Sequence, residues 1–330
     1  MLDYPIVLRS FVKALACLWL AGIGQASALD YPVRPITMVV PFPAGGPADT
    51  IARILSEGMR ASLGQPVIID NVGGASGTIG VGRVARATPD GYTLSWGYWG
   101  THVANGAIYA LTYDVLKDFE PIGLLTNNVE VIVARKANPA NDLRGLIAWL
   151  KANPGKASWG TQGAGGPSHV GGLLFKSMTG TDFQFVPYRG MAPAMQDLVA
   201  GQIDLLLPPL EAVLPHLRAG TIKAYAVTSK TRLAGAPDIL TTDEAGLPGF
   251  YFSAWSGLWA PKGTSKDVVN KLNKAIVATF ADPSVRQRLA DIGLEAFRRE
   301  EQTPEALAVF QKAEIEKWWP IIRAAGIKGE

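Results

Sequence analysis

Cysteine and histidine are scarce in this sequence. Among 330 residues there is one cysteine, Cys17, and there are three histidines. A disulfide framework needs several paired cysteines, and a structural zinc site needs about four Cys or His ligands. The sequence therefore excludes a disulfide scaffold and argues against a structural metal site.

A strong charge of one sign is also missing. The chain has 31 Lys and Arg residues against 28 Asp and Glu residues, which gives a formal net charge of +3. So small an excess does not indicate a nucleic-acid partner. The remaining composition, 48% hydrophobic and 18% charged, is typical of a globular protein, and the length suggests two domains.

Motifs of catalysis and cofactor binding are absent. The sequence has no G-x-S-x-G elbow and no phosphate-binding G-x-x-x-x-G-K-[ST], and the glycines from Gly77 to Gly82 stand in the wrong order for G-x-G-x-x-G. We therefore expect no cofactor and no enzymatic activity. Ser168 and His169 leave a serine hydrolase as an alternative, although a catalytic triad is not usually assembled from sequence neighbours.

The N-terminus carries the features of a secretory signal peptide. An apolar run from Ala14 to Ile23 follows the basic residues Arg9 and Lys13 and ends near Ala26-Ser27-Ala28, a small-x-small cleavage site. The run is too short to remain as a membrane-spanning helix. We expect residues 1–28 to be removed, Cys17 with them, and the remaining chain to be exported.

Glycine-rich loops follow several predicted strands. The first, from Pro41 to Thr50, lies between a buried strand over Ile36–Val40 and an amphipathic helix. The others are Asn71–Thr78, Trp159–His169 and Tyr188–Met191. Strands that alternate with helices predict an α/β fold with mostly parallel sheets. In such sheets ligands bind at the carboxyl ends of the strands, where helix N-termini favour an anion.

The side chains of Arg189, Asp204 and His102 each allow more than one interpretation. Arg189 could hold a carboxylate bidentately or form a surface salt bridge, which its spacing favours. Asp204, inside an apolar strand, needs donors around it, either loop amides, a cation or a bound water. His102 is equally consistent with loop packing and with a donor in a cleft.

An aromatic cluster follows the third predicted strand. Trp96, Tyr98 and Trp99 could pack in the core or form a wall against a ligand. If they line a pocket beside anion-binding amides, the ligand would be an aromatic or longer-chain carboxylate rather than a short tricarboxylate. The alternative is that the rings pack inward.

A set of motifs across the chain resembles one family. The sequence is similar to the substrate-binding proteins of tripartite tricarboxylate transporters, the Bug family, from about Tyr31 to Lys328. The motifs that carry the resemblance are Tyr31–Ile36, Val40–Gly46 with Asp49, Asp70-Asn71, Pro89–Leu94, Tyr113-Asp114, Lys117–Phe119, Pro187–Gly190 with Pro193-Ala194, Ala226–Ser229, Glu244–Phe250 and Trp255–Pro261.

The resemblance implies a two-lobed periplasmic-binding-protein-like (type II) fold with a central cleft. We place lobe 1 at residues 29–130 plus 251–330 and lobe 2 at residues 131–250, because the chain crosses near Val129 and returns near Phe250. The implied ligand is a small organic acid, and the implied partners are two integral-membrane transporter subunits. We expect a periplasmic monomer; the alternative to transport is a ligand-sensing subunit of a signalling receptor.

The resemblance also implies that the loops at Phe42–Gly46 and Arg189–Met191 hold the proximal carboxylate, largely through backbone amides. Ordered waters would form hydrogen bonds to the far end of the ligand. No residue is predicted to be catalytic or to bind a metal. The predicted ligand-binding residues are Phe42, Ala44, Gly45, Gly46, Asp49, Ser76, Gly77, Thr78, Trp99, His102, Thr161, Gly163, Ser168, His169, Tyr188, Arg189, Gly190, Met191 and Asp204.

Overall fold

Two five-stranded sheets, each covered by helices, form two lobes. The computed structural model describes residues 31–163, 165–233 and 235–328, so the predicted signal peptide over residues 1–28 lies outside it. Among the helices in these ranges, none is long and apolar enough to cross a membrane.

The strands alternate with helices along most of the chain. The strands are β1 (Ile36–Val40), β2 (Val67–Asn71), β3 (Thr93–Tyr98), β4 (Phe119–Leu124), β5 (Thr126–Asn127), β6 (Val131–Arg135), β7 (Ser158–Thr161), β8 (Gln184–Pro187), β9 (Leu205–Leu206), β10 (Ile222–Val227), β11 (Ser256–Pro261) and β12 (Glu295–Ala296). The α-helices are α1 (Pro47–Leu63), α2 (Thr78–Ala85), α3 (Asn105–Ile108), α4 (Leu143–Ala152), α5 (Pro167–Thr179), α6 (Met191–Ala200), α7 (Leu210–Arg218), α8 (Lys266–Ala281), α9 (Pro283–Asp291) and α10 (Pro304–Ala324).

Each sheet is mixed, with one reversed strand among strands that otherwise run in one direction, in agreement with the mostly parallel sheets expected from the sequence. In lobe 1 the order is β2-β1-β3-β11-β4, where β1 runs parallel to β2 and β3 while β11 is antiparallel to both neighbours. In lobe 2 the order is β10-β6-β9-β7-β8, and β6 is the reversed strand. The reversed strands are those nearest the crossings between lobes, because there the chain enters its sheet from the opposite end.

The register of the parallel strands gathers the glycine-rich loops at one edge of each sheet. Val40 pairs with Asn71, so the loops after β1 and β2 leave lobe 1 side by side. Thr161 pairs with Pro187, so the loops after β7 and β8 leave lobe 2 together. In each sheet the loops therefore gather at the carboxyl ends of the strands. The N-termini of the helices that follow point toward the same end.

One continuous hydrophobic cluster connects the lobes. It contains Trp99 of lobe 1, Phe252 of the returning crossing and Trp318 of α10, whose rings meet edge to face with centroids 5.0–5.6 Å apart. The indole N–H groups of Trp255 and Trp318 both donate to Glu314 Oε2, at 3.2 and 3.0 Å. Helix α10 thus packs against both the returning crossing and lobe 1. The lobe boundaries near residues 130 and 250 stay a prediction.

Helix caps follow the sequence closely. Asp142, Ser265 and Thr303 each accept a hydrogen bond from a backbone N–H in the first turn of the helix that they precede. One local expectation was wrong, because residues from Trp159 to Thr161 belong to strand β7 rather than to a loop. After β3, Gly100–Ala104 forms a π-helical turn.

Candidate functional site

The conformation of the first loop of lobe 1 is fixed by an aspartate of the helix that follows it. Gly45 has φ +80°, a conformation that favours glycine, and its N–H donates to Asp49 Oδ2 at 2.9 Å. Arg53 Nε donates to the same oxygen at 2.8 Å, and this hydrogen bond lowers the pKa of Asp49 below its ordinary value. Asp49 is 4% exposed, so it supports the loop from the protein interior.

The other amides of this loop remain available. Gly46 is the N-cap of α1 and Pro47 occupies its first turn. Within the ranges that the structure describes, the N–H groups of Ala44 and Gly46 find no acceptor. Amides at a helix N-terminus carry partial positive charge, so this loop can accept a carboxylate between them.

The second loop of lobe 1 contains consecutive residues in left-handed conformation. Ala75 and Ser76 have φ of 46° and 53° although neither is glycine, and Gly77 follows with φ 88°. A side chain at Gly77 would meet Thr101 at 2.8 Å, which explains the glycine. The hydroxyl of Ser76 lies 2.7 Å from that of Tyr109. Backbone strain of this kind collects at ligand-binding loops, and the predicted residues Ser76, Gly77 and Thr78 lie here.

The aromatic cluster divides between core and cleft. The ring of Phe42 meets Tyr98 edge to face at 5.4 Å, and both side chains are half-buried beside the first loop. Trp96 is 3% exposed, and Trp99 is fully buried against Phe252 and Trp318. The expectation that Trp99 contacts ligand is therefore not met, and of the three rings only Tyr98 remains beside the first loop. Trp99 directly precedes the π-helical turn Gly100–Ala104, and its ring packs into the core.

His102 is likewise a core residue. Its ring stacks on Trp259 with centroids 3.9 Å apart and is fully buried, and burial lowers its pKa to about 3. A side chain at Gly97 would overlap this ring, so the strand is built to accommodate it. Of the two interpretations left open by the sequence, packing is the one that the structure supports.

The loop after β7 faces lobe 1 across the cleft. Gly163 has φ 100°, and the carbonyl of Thr161 accepts a hydrogen bond from Tyr188 N–H at 2.8 Å, which joins the two loops of lobe 2. A side-chain carbon at Gly165 would lie 2.4 Å from Ile108 Cδ1 of lobe 1. Since Tyr109 next to Ile108 contacts Ser76, this loop lies opposite the second loop of lobe 1.

Ser168 and His169 are not arranged for nucleophilic catalysis. The Ser168 hydroxyl is fully buried and donates to the carbonyl of Gly160 at 2.8 Å, while Trp159 Nε1 donates to Ser168. His169 Nδ1 accepts a hydrogen bond from Gly165 N–H at 3.0 Å, and burial lowers its pKa. Buried Ser168 therefore supports the loop from within, which corrects its prediction as a direct ligand contact. His169 also supports the loop but is half-buried, and its contact with ligand stays a prediction.

The loop after β8 presents an exposed cation. Tyr188 donates its hydroxyl to Asp197 at 2.7 Å, which holds the loop against α6. Gly190, with φ 147°, is the N-cap of α6, and Met191 begins that helix. Arg189 is exposed and forms no ion pair with any residue in the described ranges. The surface salt bridge that its spacing favoured is therefore not observed.

Asp204 lies away from these loops. Its carboxylate accepts hydrogen bonds from Arg135 Nε at 2.7 Å and from the N–H of Ser158 at 2.9 Å. Ser158 is the first residue of β7, whereas the loops follow its last residue, Thr161. Asp204 thus meets a cation, as one interpretation held, but at the opposite end of the strand from the candidate site.

An open groove of about 690 Å³ lies between the start of α1, helix α7 and the segment Ala290–Leu294 at the end of α9, and the loops after β2, β7 and β8 do not line it. Its lobe 1 wall includes Gly45 and Gly46 of the first loop, and its other wall includes Glu211 of α7, with Asn128 of the crossing between them. Sequence reasoning did not single out Glu211 or the neighbouring Glu130. The one available signal was an acidic residue inside the apolar run Val129–Val133, the same signal that drew attention to Asp204.

The predicted residues therefore fall into three groups. The lobe 1 edge holds Phe42, Ala44, Gly45, Gly46, Ser76, Gly77 and Thr78, with Asp49 behind them, and the lobe 2 edge holds Thr161, Gly163, Tyr188, Arg189, Gly190 and Met191. Four others, Trp99, His102, Ser168 and Asp204, serve packing or bracing, as does His169.

Comparison with known proteins places this arrangement in a family. A model described as the tripartite tricarboxylate transporter family receptor matches residues 51–327. The protein BugT of Bordetella pertussis is 34% identical, over 93% of this chain and 94% of its own length.

Solved structures give the same result. MatC from Rhodopseudomonas palustris with bound malate is 40% identical with a TM-score of 0.75, covering 88% of this chain and all of that one. R. palustris Rpa4515 with adipate is 33% identical with a TM-score of 0.77, covering 91% and 99%. These similarities confirm both the resemblance seen in the motifs and the two-lobed binding-protein fold. The chain belongs to the tripartite tricarboxylate transporter receptor family, the Bug-type solute-binding proteins.

Proposed function

We propose that this protein captures a small organic acid between its two lobes in the periplasm and performs no chemistry on it. The observation that carries the proposal is the first loop of lobe 1. Asp49 holds Gly45 in its left-handed conformation, and the N–H groups of Ala44 and Gly46 are left without acceptors in the described ranges. A carboxylate would satisfy both groups.

The lobe 2 edge would complete the site. Arg189 stands unpaired among the described residues beside the N-terminus of α6, where a charge-assisted hydrogen bond to a carboxylate could form. We propose that Phe42, Ser76, Thr78, Thr161, Gly163 and Met191 line the space between. Structures of two relatives, one with malate and one with adipate, support a carboxylate as the ligand class.

We further propose that the loaded protein delivers its ligand to two integral-membrane subunits, as the family description of a transporter receptor suggests. We expect it to act as a monomer after its signal peptide is removed. A receptor-sensing role would use the same cleft. Co-purification with transporter subunits rather than with a receptor kinase would separate the two roles.

The test is calorimetric titration of the purified protein with malate and adipate, comparing Gly45→Ala with Gly64→Ala. Both glycines have positive φ, 80° and 70°, and open space where a side chain would stand. Each substitution should cost about 1 kcal/mol of stability. Gly64 ends α1 at the far side, so only Gly45→Ala should weaken ligand binding, by about tenfold or more.

Binding of neither acid, nor of other carboxylates in a thermal-shift screen, would refute the proposed function. Equal affinities of the two variants would refute the placement of the site.

A further inference from the structure

A separate open groove, of about 520 Å³, is formed by lobe 1 alone. It lies between residues 273–281 of α8, Arg286 of α9 and residues 299–303, where α10 begins, and we call it the α8–α10 groove. Within the ranges that the structure describes, no residue of the glycine-rich loops lines it. The groove is therefore distinct from the candidate ligand site.

The α8–α10 groove carries positive charge that nothing in the described chain neutralises. Lys274, Arg286 and Arg299 line it and are exposed, and none of its described lining residues is acidic. None of the three forms an ion pair with a residue in the described ranges. The two acids that follow Arg299, Glu300–Glu301, pair with Arg298 instead. The three cations are thus free to meet an external anion.

Hydrogen bonds fix the walls of this groove. Asn273 Nδ2 donates to the carbonyls of Ile122 and Gln302 at 2.8 and 2.6 Å, which joins α8 to the segment before α10. Arg286 Nε donates to the Phe280 carbonyl at 2.6 Å, while its two terminal nitrogens donate to no acceptor in the described part of the chain. A groove that is already formed loses little conformational entropy when a partner binds.

The shape and lining of the groove favour a protein segment as its occupant. Val277 and Ala278 add apolar surface to the α8 wall beside the cations, and the groove is several times larger than an inorganic anion. Its concave form between helices does not match the flat surface of a membrane. Arginine next to apolar surface is typical of protein interfaces, where the partner carries the complementary charge.

Helix α9 connects this groove to the contact between the lobes. Arg286 lies near its beginning, and Gly293 follows its end. A side-chain carbon at Gly293 would lie 2.8–3.0 Å from Cβ, Cα and N of Glu211, so the glycine allows lobe 1 to touch the first turn of α7 in lobe 2. A partner bound in the α8–α10 groove would therefore contact the helix that reaches lobe 2.

We propose that the α8–α10 groove is the docking surface for an acidic segment of the protein that receives the ligand. This inference rests on the proposed function, in which that receiver is an integral-membrane transporter subunit. Carboxylates of the segment pair with Lys274, Arg286 and Arg299, and its apolar side chains contact Val277 and Ala278. The groove takes no part in holding the ligand.

The first experiment separates ligand binding from delivery. It measures the affinity of each purified variant for malate and adipate, and the uptake of the acid that binds by cells in which the variant replaces the wild type. The groove variant combines Lys274→Glu with Arg299→Glu and leaves Arg286, which is bonded to α8, in place. It should bind the acid like the wild type but lower the uptake about tenfold, because like charges then face each other.

The matched control combines Arg60→Glu with Lys266→Glu. Both residues are exposed on lobe 1 helices, line no part of the groove and form no ion pair in the described ranges, and the change in net charge is the same. This variant should alter neither affinity nor uptake.

The second experiment identifies the occupant by photo-crosslinking in cells. A photoreactive side chain replaces Ala278 in the groove or, as the matched position outside it, Ala61 of α1; both are exposed alanines on lobe 1 helices. The probe at position 278 should be joined to an acidic segment of a transporter subunit, and the probe at position 61 should not.

Equal uptake with the groove variant and the control, or a transporter product from position 61 alone, would overturn the inference and leave the capture of carboxylates standing. Binding of the wild type, but not of the groove variant, to phosphatidylglycerol vesicles without a transporter product would assign the groove to lipid and also overturn it. If the groove variant does not fold, the product from position 278 decides. Failure of every carboxylate to bind, or uptake that survives deletion of the gene, would refute the proposed function and this inference with it.

Discussion

The carboxylate of Asp49 accepts a hydrogen bond from the backbone N–H of Gly45, four residues earlier, at 2.9 Å. Asp49→Asn removes the charge that also attracts Arg53. We expect the loop to lose its fixed conformation and carboxylate affinity to fall by about tenfold, since charge-assisted hydrogen bonds contribute about 1.5–3 kcal/mol. Calorimetric titration with a carboxylate that binds the wild type measures this.

Asp70→Asn provides the matched control. Asp70 forms an ion pair with Arg83 at 2.7 Å on the edge strand β2, and its side chain is 36% exposed. Exposed pairs contribute about 0–1 kcal/mol, so this variant should change neither stability nor binding noticeably. If both variants bind ligand like the wild type, Asp49 has no role in preparing the loop.

Arg189 offers a test that separates binding from stability. Because it is exposed and unpaired among the residues described, Arg189→Ala should leave the melting temperature unchanged. If it contacts the ligand's carboxylate, affinity should fall by about 1.5–3 kcal/mol. A lower melting temperature with unaltered affinity would instead assign Arg189 a structural role.

Glu211 predicts a dependence of stability on pH. Burial raises its pKa from 4.5 to about 7. A carboxyl group with a raised folded-state pKa contributes stability below its unfolded pKa and loses it as pH rises through the folded value. Stability should therefore decline between pH 4.5 and 7, by an amount on the order of 3 kcal/mol, since one pKa unit corresponds to about 1.4 kcal/mol.

Glu211→Gln should remove the part of this decline that belongs to Glu211, while Glu130, whose pKa is also raised by burial, should still contribute a decline. Urea unfolding at pH 5 and pH 8 measures the difference, and the variant should exceed the wild type in stability only at the higher pH. The same difference between the two proteins at both values would contradict the assignment of the decline to Glu211.

Gly165 tests the contact between the lobes. A side chain there would lie 2.4 Å from Ile108 Cδ1 and would also impose strain at φ 74°. Gly165→Ala should destabilise the protein by about 1–3 kcal/mol. Adding Ile108→Ala removes the clash but not the strain, so the double variant should show a favourable coupling energy in thermal unfolding. Strictly additive effects would mean that the loop does not meet Ile108 in solution.

The sequence predicts those parts of the fold that depend on local pattern. The strand over Ile36–Val40, the amphipathic helix after it, and the caps at Asp142, Ser265 and Thr303 all follow from short-range periodicity and side-chain chemistry. Strand β7 was missed because Trp159-Gly160-Thr161 is as compatible with a glycine-rich loop as with a strand. Only its pairing with β8 and β9 makes it a strand.

The candidate site shows the same division. The glycine-rich loops could be placed because they follow predicted strands. Asp204 and Glu130 could not be told apart, since each is an acidic residue in an apolar run. Asp204 meets Arg135, 69 residues away, whereas Glu130 meets no cation in the described ranges. That distinction depends on which segments, distant in the sequence, pack beside each carboxylate in the fold.

The position of β11 in the lobe 1 sheet has a consequence for biosynthesis. Strand β4 contacts the rest of its sheet through β11, which is inserted between β3 and β4. When β4 leaves the ribosome, its partner is more than a hundred residues from being made, since β11 begins at Ser256. The amino-terminal lobe therefore cannot complete its sheet on a partial chain. A late closing strand keeps the lobe 1 sheet incomplete until the segment Ser256–Pro261 has been synthesised.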